Sequence, residues 1–426
     1  MLHPNDHPLR YALVNELHAR PFPALAVPCS VAHVAFKEPA EAHNRDRGAD
    51  HAHLCALLAR HGVAAPEPGI THFSGALGRA ELKWESHTEF VACSAFTPGL
   101  SPRPFDPAEA EVLPADWLAA APGRRLCSVL IRVEEMPEDP AGIDARLDAW
   151  FVPESLAAAE VLGGAAVVAG DFRIDPAGHM RFAVFVRPGT GPRRLGRIVQ
   201  WLCEIETYRA MSMLGLGRAR ELGARLNAID PGLTALVGRI DSGTSAEDTL
   251  HALLRISAEL EALAVRFAFR AGATGAYEAI VLQRIEVLRE ARFGGRQTFG
   301  EFMLRRYDPA MRTVKSAEAR LRLMVERAAR AAELLRTRVD VERSAQNQRL
   351  LESMDRRADL QLRLQHTVEG LSVVAISYYA VSLAGYALQP LADGMGVPKA
   401  GLLAVLVPVT VLAVWLMVRR IRRAMH

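Results

Sequence analysis

Near the C-terminus the alternation of apolar and polar positions stops. Val368 to Leu391 and Ala400 to Val418 are apolar almost all round and contain no Lys, Arg or Asp. Each approaches the ~20 residues needed to cross a hydrocarbon core of ~30 Å. A helix pair in a soluble core would keep one polar face, so the pattern predicts a two-helix transmembrane hairpin. Upstream, Ala310 to Glu369 contains neither Gly nor Pro. As one helix, those ~60 residues would extend ~90 Å at 1.5 Å per residue. Within this run Val314, Ala317, Leu321, Met324, Ala328, Ala331 and Leu335 recur in three- and four-residue steps, the spacing of a coiled-coil seam. The seam fails at Arg338 and Glu342, and a polar section, Arg343 to Arg349, precedes a second stripe of Leu350, Leu351, Met354, Ala358 and Leu362. The run reads as a stalk continuing into the first membrane helix, or as two helices with a turn near Ser344 to Asn347.

Earlier segments have a different period. Ser30 to Phe36, His72 to Leu77, Glu81 to Trp84, Glu89 to Phe96, Leu126 to Val133, Ala165 to Phe172 and Arg181 to Val186 are predicted strands, with a helix between Ala40 and His61. Gly78 and Arg79 join one hairpin, and Asp175 to Gly178 join another, so part of the sheet is antiparallel. After Pro192 the chain turns helical, from Leu195 to about Ile229, stopping before Pro231, and again from Ala246 to Arg292 with weak points at Gly272 and Gly275. The fold class expected is α+β: a mixed α/β sheet domain (1–190), a helical domain (191–309), a stalk helix or coiled coil (310–367), and two transmembrane helices, 368–391 and 400–418, within 368–426.

Composition narrows the function classes. Of 426 residues, 50% are hydrophobic and 23% charged, a folded protein with a membrane part. The 51 basic residues are interleaved with acids to a net charge of +3, which argues against a nucleic-acid partner. Basic residues gather beside the apolar stretches instead: Arg356, Arg357 and Arg363 before the first, and Arg419, Arg420, Arg422 and Arg423 after the second. The positive-inside rule then places both termini in the cytoplasm of a bacterial inner-membrane protein. Met1 to Arg20 lacks the apolar core of a secretory signal. Five cysteines without a Cys-x-x-Cys pair suit a reducing compartment.

Three strings carry a resemblance: Asn15-Glu16-Leu17-His18-Ala19-Arg20-Pro21, Leu82-Lys83-Trp84-Glu85-Ser86-His87-Thr88-Glu89-Phe90 and Glu204-Ile205-Glu206-Thr207-Tyr208-Arg209. With Gly294-Gly295-Arg296-Gln297-Thr298 and the C-terminal hairpin, they resemble an uncharacterised membrane-anchored bacterial family, a domain of unknown function. The resemblance spans nearly the whole chain, implies the anchor and brings no assigned activity. A looser, architectural resemblance is to CorA-type magnesium channels, pentamers whose first membrane helices line the pore. Those carry Gly-Met-Asn just after that helix, where this chain has Gly385-Tyr386-Ala387-Leu388-Gln389-Pro390, with Gly394-Met395-Gly396 deeper in the loop. The departure speaks against magnesium selectivity.

Candidate chemistry is sparse. Tyr378, Ser382 and Tyr386 fall at four-residue steps on the first apolar stretch, where hydroxyls serve either a pore or helix packing. Glu369 stands at its entrance, where an ionisable group faces water, a bundle interior or the interface. Glu16, His18 and Arg20, and Trp84, Glu85, His87 and Glu89, are the densest polar strings and are expected to form a polar network or partner site, with Glu85, His87 and Glu89 on one strand face. Ten of the 14 histidines precede residue 90, and Glu41, His43, Asp50, His51 and His53 are candidate metal ligands by residue type, but no ligand spacing such as His-Glu-x-x-His appears. Gly215-Leu216-Gly217 and Gly163-Gly164 fall short of phosphate-loop patterns, and no Gly-x-Ser-x-Gly elbow occurs. No catalytic, cofactor-binding or metal set emerges, so a non-enzymatic protein is expected: a cytosolic domain on a homo-oligomeric stalk, acting as scaffold or sensor for an unknown cytosolic protein or ligand. The alternative is a CorA-like ion conduit lined by the first membrane helix.

Overall fold

The structure, a computed structural model, describes residues 7, 9–16, 22–39, 45–139, 141–240, 246–395 and 398–425. In chain order the elements are α1 (Arg10–Glu16), β1 (Cys29–Lys37), α2 (Arg47–Arg60), β2 (His72–Leu77), β3 (Ala80–Ser86), β4 (Phe90–Pro98), α3 (Ala115–Ala119), β5 (Arg124–Glu135), α4 (Ala141–Trp150), β6 (Ala157–Val161), β7 (Ala166–Ile174) and β8 (Met180–Val186). Then follow α5 (Pro192–Gly238), α6 (Ala246–Leu288), β9 (Ala291–Arg292), α7 (Phe299–Arg306), α8 (Asp308–Gly394) and α9 (Lys399–Met425). They fall into two compact units, one of Met1–Ser242 with His251–Ala331 and one of Gly243–Leu250 with Ala332–His426.

The first unit is built on one mixed sheet of nine strands in the order β2-β3-β4-β1-β5-β8-β7-β6-β9. Only β5 and β8 pair in parallel; the other pairings are antiparallel. Both expected hairpins are present: Leu77 pairs with Ala80 around Gly78, and the Gly178 amide donates to the Asp175 carbonyl at 2.9 Å. On one face Leu54, Leu57 and Leu58 of α2 and Trp117 of α3 pack on Phe36, Leu82, Trp84 and Cys93, while Ile143 and Leu147 of α4 pack on Leu130, Val167 and Phe185. The other face is covered by α5, whose Leu195, Ile198, Val199 and Leu202 are buried, and by Phe299 of α7 against Phe182. Covering both faces explains why β1 is buried at every position and reads as a nearly continuous apolar run.

The sequence signal failed in a few places. β6 was not expected, because Ala157 to Val161 is alanine-rich and favours helix; burial between β7 and β9 outweighs that preference. α4 and the two-residue β9 were also unforeseen. Asp46 caps α2, its carboxylate accepting from the Gly48 and Ala49 amides, so the helix starts at Arg47 rather than near Ala40, and residues 40–44 lie outside the described residues. α5 does not stop before Pro231 but runs to Gly238: an interior proline costs roughly 3 kcal/mol, and buried Ile229 and Leu233 offset it. α8 is a single 87-residue helix with no turn at Ser344 to Asn347.

The seam of α8 is the larger correction. Val314, Leu321, Met324, Ala328 and Ala331 are already buried within the first unit, and Ala317 is half-buried. Ion pairs flank the seam: Lys315 to Glu278 of α6 at 2.7 Å, and Arg320 to Asp230 of α5 at 3.0 Å. These residues therefore need no second copy to cover them, and the inference of self-association drawn from them loses its premise. In the second unit the residues of α8 from Asp340 to Thr367 are exposed on all sides.

Two glycines show how closely the covering layer sits. A Cβ on Gly196 of α5 would lie 1.7 Å from the Pro23 carbonyl oxygen, and one on Gly215 would lie 2.3 Å from Thr274 Oγ1 of α6. Gly223, on the same helix as Gly196, has open space. Gly196→Ala is expected to lower stability by about 1–3 kcal/mol through overpacking. Gly223→Ala should raise it by up to about 1 kcal/mol through helix propensity. Chemical denaturation of the two variants checks the opposite signs.

Candidate functional site

Alternation along β3 sends Lys83 and Glu85 to the α5 face and Trp84 to the α2 face, where it is 1% exposed. Phe90, Ala92, Ser94 and Phe96 of β4 and His33 of β1 share the Lys83 face. Above them α5 turns Gln200, Cys203, Glu204, Thr207 and Tyr208 downward at helical spacing, and α6 adds Arg284. With Phe22 and His87 these side chains enclose a cavity of about 240 Å³ between sheet and helices.

Its polar wall is a ladder of alternating charge. Glu85 pairs with Lys83 at 3.2 Å; Lys83 Nζ donates to Gln200 Oε1 at 3.0 Å; Gln200 Nε2 donates to Glu204 Oε1 at 2.7 Å; and Arg284 Nε donates to Glu204 Oε2. At the floor, His33 is fully engaged, Nδ1 with Ser94 Oγ and Nε2 with Thr207 Oγ1, both at 2.8 Å. Burial, then the nearby Lys83 charge, pushes the His33 imidazole down to about 3. It is therefore neutral at pH 7. Thr207 donates onward to Cys127 Sγ at 3.8 Å, which suits Nε2–H as donor to Thr207 and Nδ1 as acceptor from Ser94. Burial pushes the Cys127 and Cys203 thiols up, so they stay protonated and unreactive.

A second polar cluster adjoins the cavity. Glu89, 2% exposed, accepts from Arg270 Nη2 and from Tyr277 Oη, the latter at 3.0 Å. Arg270, Tyr277 and Arg284 lie seven residues apart on α6 and so share one face. Burial, then the Glu89 charge, pushes the Tyr277 phenol up. Burial, then Arg270, pushes Lys37 down. His87 stacks on Phe90 at 4.2 Å and Tyr208 on Tyr277 at 5.5 Å, tying the β3–β4 turn to α5 and α6.

Of the residues expected from sequence, Glu85 and His87 line the cavity, Glu89 sits in the adjoining cluster, and Trp84 belongs to the opposite core. Glu85, His87 and Glu89 do not share a strand face: β3 ends at Ser86, and His87 closes a turn by donating its amide to the Phe90 carbonyl at 2.8 Å. The side chain of Glu16, the last residue of α1, and His18 and Arg20 lie outside the described residues, as do Glu41 and His43. Sequence reasoning missed His33, Lys83, Gln200 and Arg284. The available signal was polarity out of place, a histidine inside Val31-Ala32-His33-Val34-Ala35 and a lysine beside Trp84. The string from Glu204 to Arg209 divides: Glu204, Thr207 and Tyr208 face the cavity, while Arg209 pairs with buried Glu206 at 2.7 Å. The Gly294 to Thr298 string is structural: Arg296 reaches Asp148 at 2.9 Å, Gln297 donates to the Leu156 carbonyl, and Thr298 with Glu301 forms a capping box on α7.

Asp50 pairs with Arg45 at 3.0 Å, and His51 and His53 contact the carbonyls of Pro66 and Trp117. Among the described residues no three His, Cys, Asp or Glu side chains converge as a metal-ligand set. In the second unit, Glu369 accepts from Gln365 at 3.5 Å and lies 3.9 Å from His366. Tyr378 and Tyr386 are 70% and 78% exposed, Ser382 is half-buried, and Ser377 is buried. A Cβ on Gly385 would meet Leu403 of α9 at 4.0 Å, so the end of α8 and α9 pack through small residues while the tyrosines point outward.

The family described as "Protein of unknown function (DUF3422)" matches residues 5–425, and the chain belongs to it. No curated protein matches the chain.

The depressed imidazole makes stability pH-dependent. Unfolded His33 binds a proton near pH 6.5 while folded His33 does so only near 3, so its contribution is complete above pH 6.5 and is lost as the pH falls toward 3. Between pH 7.5 and 5 this amounts to about 2 kcal/mol. His33→Gln can keep both hydrogen bonds without titrating. Its Tm, though lower at pH 7.5, should fall less steeply to pH 5 than that of the parent, with His53 and His179 present in both proteins.

Proposed function

We propose that this member of the DUF3422 family is a membrane-tethered binding module: its C-terminal hairpin sits in the bacterial inner membrane with both termini in the cytoplasm, and its α/β unit holds a small ligand in the cavity under α5. One observation carries the tether. α8 and α9 each contain a segment long and apolar enough to cross a membrane, and only 6% of each is buried. Leu383, Tyr386, Val405 and Val409 stand exposed, a surface far more apolar than a soluble monomer presents to water, and lipid is the solvent that suits it. The arginines at 356, 357, 363, 419, 420, 422 and 423 support the orientation.

Binding without turnover is the reading of the cavity. Its carboxylates are supported by Lys83, Gln200 and Arg284, His33 is neutral and hydrogen-bonded at both nitrogens, His87 is stacked on Phe90, and the Cys203 thiol is protonated, an arrangement that suits holding a ligand better than turning one over. A conduit lined by the first apolar segment is the second reading, favoured by the unbroken run of α8 into that segment. It requires a ring of copies, which the internally covered seam no longer supplies.

Two measurements test these readings. The chain should stay in the membrane pellet through alkaline carbonate, and Gly394→Cys should react with an impermeant maleimide in intact cells while Met425→Cys reacts only after lysis; four native cysteines are buried and Cys55 is half-buried, so background is low. The reverse labelling pattern would invert the topology, and carbonate release would sink the tether. Full-length protein purified from cells should release a small molecule on denaturation, detected by mass spectrometry, and Ala92→Phe, which fills the cavity, should not; equal release from both would remove the cavity from the reading. For the conduit, liposome ion flux that changes in a Glu369→Ala, Tyr378→Phe, Ser382→Ala variant would displace the tether reading.

A further inference from the structure

The charge pattern of the cavity specifies more than the presence of a ligand. Two carboxylates, Glu85 and Glu204, alternate with two cations, Lys83 and Arg284, so the wall is neutral in sum but strongly charged in place. The protein's own bonds use only part of this capacity. Glu85 meets Lys83 through Oε1 as an ion pair; Arg284 meets Glu204 through Nε and Gln283 through Nη1; and Lys83 donates to Gln200. Among the described residues no hydrogen bond engages Glu85 Oε2 or Arg284 Nη2, and Lys83 Nζ has N–H groups beyond the one bonded to Gln200. The apolar part of the lining is Phe22 with Phe90, Ala92 and Phe96, the last three beside Lys83 and Glu85 on the same face of the sheet.

We propose that this cavity takes a small zwitterion with an apolar body, of the size and charge pattern of an apolar α-amino acid. The ammonium goes to Glu85 Oε2, the carboxylate to Arg284 Nη2 and Lys83 Nζ, and the side chain lies on the phenylalanines. Elimination among charge types supports it. An anion would leave Glu85 and Glu204 facing a like charge, and a cation would do the same to Lys83 and Arg284. A neutral apolar molecule would strip water from the unspent donors and acceptors without replacing those bonds. A zwitterion satisfies both signs at once. Volume sets the size: about 240 Å³ lies below the ~300–1,000 Å³ typical of pockets for drug-sized ligands.

The inference rests on reading the cavity as a ligand site, and the test separates the two. Full-length protein in detergent is titrated with leucine and phenylalanine, their N-acetyl forms and their methyl esters, following Tm. The free amino acids should raise Tm and bind at least tenfold more tightly than either derivative. Glu85→Gln should weaken the free amino acid by about tenfold and leave the N-acetyl form unchanged; Arg284→Gln should do the converse, leaving the ester unchanged. The Glu85 and Arg284 side chains are only 15% and 28% exposed, so the ligand-free Tm of each variant is measured first and every ligand shift is read against it. If simple amines or simple carboxylates match the free amino acids, the zwitterion is overturned and the ligand site stands. If nothing in the series shifts Tm while the parent still releases a small molecule that Ala92→Phe lacks, the ligand class is overturned and the site is kept; absence of both results overturns both.

Discussion

Burial of the central sheet on both faces is the constraint from which the rest follows. Once α5 closes over β3, β4 and β1, a polar side chain on that face has no water and must find its partner inside. His33 is bonded at both nitrogens, Lys83 is held by Glu85 and Gln200, and Glu89 by Arg270 and Tyr277. Thr207 and Gln200 among these partners come from α5, and Arg270 and Tyr277 from α6, so the polar face helps fix where those helices lie. The cavity is where this closure is incomplete. Charged groups there are supported by neighbours but not saturated by them, which separates a binding wall from an ordinary buried network.

The same economy governs α8. Its small and apolar seam reads as a coiled coil because periodicity records that a face is buried and is silent on what buries it. Here α5 and α6 do so, with Lys315–Glu278 and Arg320–Asp230 on its flanks. Beyond Val339 the helix presents no buried residue until the apolar segment, where Ser377 is covered. One helix thus meets three environments in turn, and the residue pattern changes with each: a three-four repeat, then mixed charge, then uniform apolarity.

Much of the architecture was legible. Seven of nine strands, both hairpins, the long helices and the two apolar segments follow from period, turn chemistry and length. What escaped was set by context. Ala157 to Val161 has the composition of a helix and becomes a strand because β7 and β9 lie on either side. Pro231 has the chemistry of a stop and is overridden by the burial of Leu233. The site was half legible: the dense polar string around Glu85 and His87 marked one wall, but the other is made by Gln200, Glu204 and Arg284, more than a hundred residues away. Local spacing cannot report a meeting that only sheet order and helix placement bring about.

The polar residues of β1 and β3 also bear on why a cavity exists at all. If stability alone were served, the face under α5 would be apolar, since replacing buried ion pairs by packed hydrophobic side chains is often neutral or stabilising. His33 costs stability wherever the pH favours the imidazolium, and the largely buried Lys83 and Glu85 carry a desolvation cost against which stand their own pairing and the bond from Lys83 to Gln200. On the opposite face the patch of Leu54, Leu57, Trp84 and Trp117 packs without such groups, while Arg45 with Asp50 and Arg132 with Glu134 form largely buried ion pairs elsewhere on it. Charge is thus buried on both faces of the sheet, and what sets the α5 face apart is that its charged groups line a cavity instead of closing on one another.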